Sequence, residues 1–240
     1  MSIRRSDRLL LVAASFALTI PLTGCQHIES LSVHDSSAPA FNATLINRPE
    51  EMHFGKGKGG RGGIEFAYEH YRGEGTQDIA TGRYLSLDQG RINGPQTVSD
   101  TAQVQHGHVA YNLLFSFGRH FDLEPAFGIA YDKFTATALS RAPGSSELSI
   151  NGQKWGGLAA LTPRWNFNQY FGFEARFSLS GDFKNTEITG SNLAFVLSPS
   201  SHFSLKAGYY SRGTQFETPS SHSNVETNFH GFSGGLTLVF

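Results

Sequence analysis

Side chains able to do chemistry are spread thinly along this chain of 240 residues. Ten histidines invite a metal reading. His106 and His108 stand two apart, so on a strand they share one face. His70 falls on the opposite parity of its own segment, and two ligands without a third at regular spacing make a poor zinc site. His222-Ser223-Asn224 offers an imidazole beside a hydroxyl. Adjacent residues on a strand point to opposite faces, whereas a nucleophilic serine needs its oxygen within hydrogen-bond reach of the base. The run Gly55-Lys56-Gly57-Lys58-Gly59-Gly60-Arg61-Gly62-Gly63 imitates a phosphate loop. A true one places Ser or Thr after Gly-Lys and opens a helix, and the residues after Gly63 are strand-like instead. No cofactor, metal or catalytic residue is expected from these motifs. The remaining charges share a different property, their parity. Glu65, Glu69, Asp122, Glu124, Asp132 and Glu174, with Arg164, Arg176, Lys206 and Arg212, fall on the polar side of alternating segments.

Composition limits what can position them. Charged residues make up 16%, against about 25% in ordinary soluble domains. Aromatic residues make up 12%, with 20 Phe and 2 Trp, and Gly is frequent at 27. A single cysteine excludes an internal disulfide framework. A net charge of -1 without a basic block leaves no electrostatic footprint for nucleic acid. Mean hydropathy of -0.26, with no apolar run of about 18 residues, excludes a helical membrane protein. So much apolar and aromatic content is also wrong for a disordered chain.

From residue 62 onward the hydrophobic period is two. Ile64, Phe66 and Tyr68 alternate with Glu65, Ala67 and Glu69. Segments 108–117, 121–132, 155–167, 171–180, 192–198, 203–210 and 232–240 repeat the pattern. One face carries Phe, Tyr, Trp and Leu, and the other carries Gly, Ala, Ser and the charges above. Leu114 and Leu158 break the pattern on the polar face, and Pro125 and Pro163 fall on the apolar face. Proline removes a ladder donor, so each predicts a local defect in pairing. Short links at 118–120, around Gln169 and at 199–202 alternate with long polar ones at 72–103, 135–152 and 213–227. The link at 182–186 is shorter, on the long side. Tyr84 to Leu87 would, as part of an extra hairpin, make the count ten strands, though it lacks the needed apolar length. Bilayer-spanning strands show this alternation, with short periplasmic turns and long external loops. The expectation is an all-β fold, an eight-stranded antiparallel up-and-down transmembrane β-barrel over residues 62–240. Eight strands leave an interior just wide enough for side chains to fill, so the ten charges should form a salt-bridged plug. His106 and His108 are expected as polar residues at a headgroup boundary.

The N-terminus reads as an address. A short positive region, 1–8, precedes an apolar run, 9–22, too short to span a bilayer. It ends in Leu22-Thr23-Gly24-Cys25, which resembles the bacterial lipobox. That resemblance implies a lipoprotein signal peptide at 1–24 and acylation of Cys25. Gln26, where an Asp would favour inner-membrane retention, implies the outer membrane. Residues 25–61 are expected to be a flexible periplasmic tether. Its basic residues would lie near anionic headgroups.

The last segment ends in Phe240 with Leu238 and Leu236 at alternate positions upstream. It is similar to the terminal insertion signal of outer-membrane proteins. The whole pattern resembles the small eight-stranded barrels of the OmpA/OmpX type of Gram-negative bacteria. The resemblance implies an outer-membrane location, lipid and lipopolysaccharide as neighbours, and transient contact with barrel-assembly and lipoprotein-sorting machinery. An even strand count would put both ends of the domain on one side, and a lipid on Cys25 would also sit in the periplasmic leaflet, so anchor and barrel agree on topology. The expected role is non-enzymatic, structural or recognitional, with an external ligand met through the loops. A lipid A- or phospholipid-modifying barrel enzyme is the competing class. His222-Ser223-Asn224 is similar to the His-x-Ser-Asn element of lipid A deacylases but lacks its spacing. A narrow ion channel is the third class.

Overall fold

A computed structural model describes residues 30–37, 39–48, 51–54, 58–87, 90–141, 147–182, 186–217 and 224–240. The fold is all-β, with no helix among the described residues. The strands are β1 (Ser30–Ser37), β2 (Ala40–Asn47), β3 (Glu51–Phe54), β4 (Lys58–Ile79), β5 (Tyr84–Leu87), β6 (Gly90–Asn93) and β7 (Gln96–Phe117). They continue with β8 (Phe121–Ser140), β9 (Glu147–Asn166), β10 (Phe171–Gly181), β11 (Thr186–Ser200), β12 (Phe203–Glu217) and β13 (Asn224–Val239). Cys25, the segment 1–24 and the His222-Ser223 pair lie outside the described residues.

All eight expected segments are strands, namely β4 and β7 to β13, and consecutive ones pair antiparallel. The eight-strand count needs correction. β2 pairs antiparallel with β4 and parallel with β13, so the ladder returns on itself through nine strands. Strands that alternate in direction around a closed ring of odd number must include one parallel pair, and β2–β13 is that pair. β1 extends the parallel pairing along the first part of β13, with Ser30 opposite Asn224. The tether expected at 25–61 therefore supplies β1, β2 and the short β3, which pairs with the first residues of β4. The glycine-rich run is not a linker throughout, because Lys58 to Gly63 open β4. A Cβ on Gly63 would stand 2.5 Å from the Asn47 carbonyl oxygen, so the close β2–β4 approach there requires glycine.

Short links, 118–120, 167–170 and 201–202, gather at one end of the ring. Gly118 adopts φ 74°, a left-handed turn conformation that glycine takes without strain. The segments expected as long loops are mostly strand. β4 runs on to Ile79, β7 starts at Gln96, β8 reaches Ser140 and β9 starts at Glu147. Their period of two continues with the apolar parity exchanged. In β7, Val109 and Tyr111 are exposed, while Val98, Ala102 and Val104, of the other parity, are buried. β5 and β6 form a separate two-stranded hairpin that is not hydrogen-bonded into the ring, with Leu85, Leu87 and Ile92 buried. The two prolines act as expected. The β7–β8 pairing skips the positions opposite Glu124-Pro125, and the β9–β10 pairing skips those opposite Thr162-Pro163.

Candidate functional site

The outer surface of the ring carries a continuous apolar band. Exposed Phe127, Ile129, Leu161, Phe177, Leu193 and Phe195 belong to it. Its edge toward the long connections is a row of aromatics fixed by strand register. Tyr131 pairs with Trp155, Tyr209 pairs with Phe232, and Tyr68 joins Tyr131 through Gly107. The Tyr131 and Trp155 rings lie 5.0 Å apart, and Tyr209 meets Phe232 edge-on at 6.1 Å. Phe232 is 79% and Trp155 68% exposed, which no water-facing aromatic row of a soluble domain requires. The opposite edge is a second row, in which Phe121 contacts Phe117 at 5.9 Å and Trp165 at 6.3 Å.

The two rows stand ten residues apart on β8 (Phe121 to Tyr131) and on β9 (Trp155 to Trp165). At ~3.4 Å per residue and a ~40° tilt, ten residues rise about 26 Å, the height of the lipid-facing band of a membrane barrel. One step beyond the upper row the outer face turns polar on β4, β7, β8, β9, β11, β12 and β13, whereas on β2 the residue opposite His70 is the exposed Phe41. His70, Gln105, Lys133 and Gln153 lie side by side in register, as do Ser191, Ser211 and His230.

Inside the band, the side chains of opposite parity converge as charge pairs. Arg176 of β10 reaches Glu65 of β4 at 2.7 Å. These strands are not neighbours, so the pair crosses the interior. Arg212 of β12 crosses similarly to Glu69, donates to the Tyr71 hydroxyl at 2.9 Å, and sits 4.7 Å above the Tyr71 ring. Glu174 takes Arg164 at 2.8 Å and Lys206 at 2.6 Å. Asp122, nearer the short turns, accepts from Ser116 and Asn166, each at 2.6 Å. Every acid in the set has a cationic or hydrogen-bonding partner, as burial demands. A cavity of about 20 Å³ beside Arg176 and Arg212 has room for about one water molecule.

Four residues of this network were not singled out for it in the sequence. Arg48 follows β2 and reaches Glu124 at 2.7 Å. Asn112 donates to Glu124 at 2.8 Å and to Glu65 at 3.2 Å. His106 and His108 were expected at a headgroup boundary, yet both are buried inside. His106 Nδ1 meets Asp132 at 2.6 Å, His106 Nε2 meets His108 Nδ1 at 3.2 Å, and His108 Nε2 meets Glu65 at 2.9 Å. Arg176 approaches the same His108 Nε2 at 3.4 Å and brings positive charge to the Glu65 end of this chain of contacts. Among the described residues, no three His, Cys, Asp or Glu side chains converge as a metal site would need.

Beyond the upper row the ring becomes a second compartment with an apolar interior. Phe134 stacks on Phe216 at 4.6 Å, and Leu85, Ile92, Val98, Ile150 and Phe229 complete it. One acid lies within. Asp100 is 1% exposed, and neither carboxylate oxygen has a hydrogen-bond partner. Burial pushes its carboxyl up to about 7.

Leu236, Leu238 and Phe240 lie along the ring's closing seam. Leu238 and Phe240 are exposed on the outer face, and Phe240 exchanges backbone hydrogen bonds with Ile46 and Arg48. No family model, curated protein or solved structure matches this chain.

Proposed function

We propose that this chain is an outer-membrane lipoprotein whose nine-stranded barrel crosses the bilayer through the apolar band. It would carry a rigid β-extension into the surroundings of the cell. The observation that carries the reading is that β4, β7, β8, β9, β11, β12 and β13 exchange their apolar face from outside to inside beyond the upper aromatic row. A soluble barrel buries its apolar parity along the whole strand, whereas a barrel that leaves a bilayer must change parity at the interface. The ~26 Å spacing of the aromatic rows supports the same reading.

The role we infer is structural or recognitional and non-enzymatic. The extension presents strands locked by an apolar core, to which the β5–β6 hairpin contributes Leu85, Leu87 and Ile92. Recognition sites are commonly carried by connecting segments held on such scaffolds. Arg176–Glu65 and Arg212–Glu69 tie opposite walls together inside the band, which opposes a water-filled path. The neighbours this reading implies are outer-membrane lipid and lipopolysaccharide, with assembly and sorting machinery as transient partners. Cys25 carries the lipid.

Heat modifiability on a gel tests the reading, using outer-membrane fractions of wild type and Cys25→Ala. A closed barrel migrates anomalously until boiled in both proteins, and Cys25→Ala stays in the membrane. Absence of a shift, with Cys25→Ala released as a soluble protein, would contradict it.

A further inference from the structure

The path of β1 and β2 bears on where the lipid sits, granted the membrane reading above. We infer that the acyl group on Cys25 anchors in the cell-surface leaflet, on the side of the long connections, and not in the periplasmic leaflet. The sequence expectation of a periplasmic lipid agreed with an even number of strands, which puts both ends of the domain on one side. With nine, the two ends of the ring-forming chain separate. Phe240 lies among the short turns beside Ile46, while Ser30 lies opposite Asn224 at the far end.

Distances decide the leaflet. β13 runs from Asn224 to the upper aromatic row at Phe232, eight residues on. At ~3.4 Å per residue and ~40° tilt, Ser30 therefore stands about 20 Å above the hydrocarbon edge. Cys25 precedes Ser30 by five residues, whose fully extended reach is at most ~18 Å. The headgroup layer extends about 6 Å beyond the hydrocarbon, so the near interface is ~14 Å from Ser30, within that reach. The far interface lies at least ~45 Å away, more than twice the reach. A lipid on Cys25 can thus enter only the leaflet next to the extension. From Ser30 the chain would descend into the membrane plane along β13.

The test uses the full chain in Gram-negative cells, with an epitope inserted after Gln26, in the 142–146 connection or in the 55–57 connection. Folding of each is checked by heat modifiability. The inference expects antibody to reach the first two tags on intact cells and the third only after permeabilisation. A Gln26 tag reached only after permeabilisation, while the 142–146 tag is reached on intact cells, overturns it. The untagged protein gives an independent reading. Alkyne-palmitate labels wild type and not Cys25→Ser, and Glu-specific protease added to intact cells cleaves after Glu29, separating label from barrel. Label that stays on the barrel until permeabilisation overturns the inference while leaving the barrel standing. A wild-type protein that takes no label refutes acylation itself. Failure of every tag to appear on intact cells refutes the barrel reading instead.

Discussion

Asp100 offers the sharpest energetic test of the apolar extension. Its carboxyl is buried without a hydrogen-bond partner, among residues such as Val98, Ala102 and Ala138. Burial raises it from 3.8 to about 7. Below pH ~4 the folded and unfolded chains both hold the proton, and Asp100 has no pH-linked effect. Between pH 4 and 7 the unfolded chain ionises while the folded one stays neutral. Stability therefore falls with rising pH through that window and levels off above 7. Three units at 1.36 kcal/mol each set a cost of about 4 kcal/mol at pH 8. Asp100→Asn keeps the shape and removes the titration. The assay is equilibrium urea unfolding in vesicles at pH 4.5, 6 and 8, read as the difference between the two proteins. Other titrating groups cancel in that difference. The expected result is a gap in favour of Asn that grows by several kcal/mol from pH 4.5 to pH 8. A gap independent of pH would show that Asp100 stays ionised and solvated, and that the extension is not a dry core.

Other outcomes rest on the same geometry. Arg176→Met leaves Glu65 charged inside the wall and should cost about 3–5 kcal/mol, with Glu65→Gln/Arg176→Met recovering most of it in a double-mutant cycle. Phe127→Arg, at a mid-band position 62% exposed, should cost roughly 2–4 kcal/mol in a bilayer. Thr135→Arg, on the outer face of the extension on the same strand, should stay within about 0.5 kcal/mol by the same unfolding measurement. Leu85→Ala leaves a cavity where the fully buried hairpin side chain packs and should cost about 2–5 kcal/mol, with faster hydrogen exchange at β5 and β6 and unchanged exchange in the band.

Much of the wall was legible because the apolar parity of β4 and β7 to β13 carries large aromatics, which announce themselves at a period of two. β2 was not. Its outward set is only Phe41, Ala43 and Leu45, and its partner β13 lies almost two hundred positions away in the chain, where no hairpin logic applies. The upper strand halves were misread for a different reason. Polar Thr, Ser and Gln residues face outward there, and a search for one apolar parity treats the exchange as a loop. Val98, Ala102 and Val104, or Leu148 and Ile150, hold the alternation that continues.

The charge network divides in the same way. The ten charged residues follow from parity alone, but which acid meets which base depends on strands several places apart in the ring. His106 and His108 shared a face in the sequence, yet their place between Asp132 and Glu65 needed the β7 register against β4 and β8. Arg48 sat in a segment read as tether, so its reach to Glu124 had no sequence signal.

The central claim is that the two aromatic rows mark the two faces of a bilayer, and the chain's only two tryptophans, Trp155 and Trp165, sit one in each row. Trp155→Phe and Trp165→Phe leave one reporter apiece. Each is reconstituted in vesicles whose phosphatidylcholine carries bromine either near the carbonyl end or near the chain end. The account predicts that both tryptophans are quenched, each more strongly by the bromine near the carbonyls. Emission unaffected by either lipid, or one tryptophan quenched most by the chain-end bromine, would contradict it.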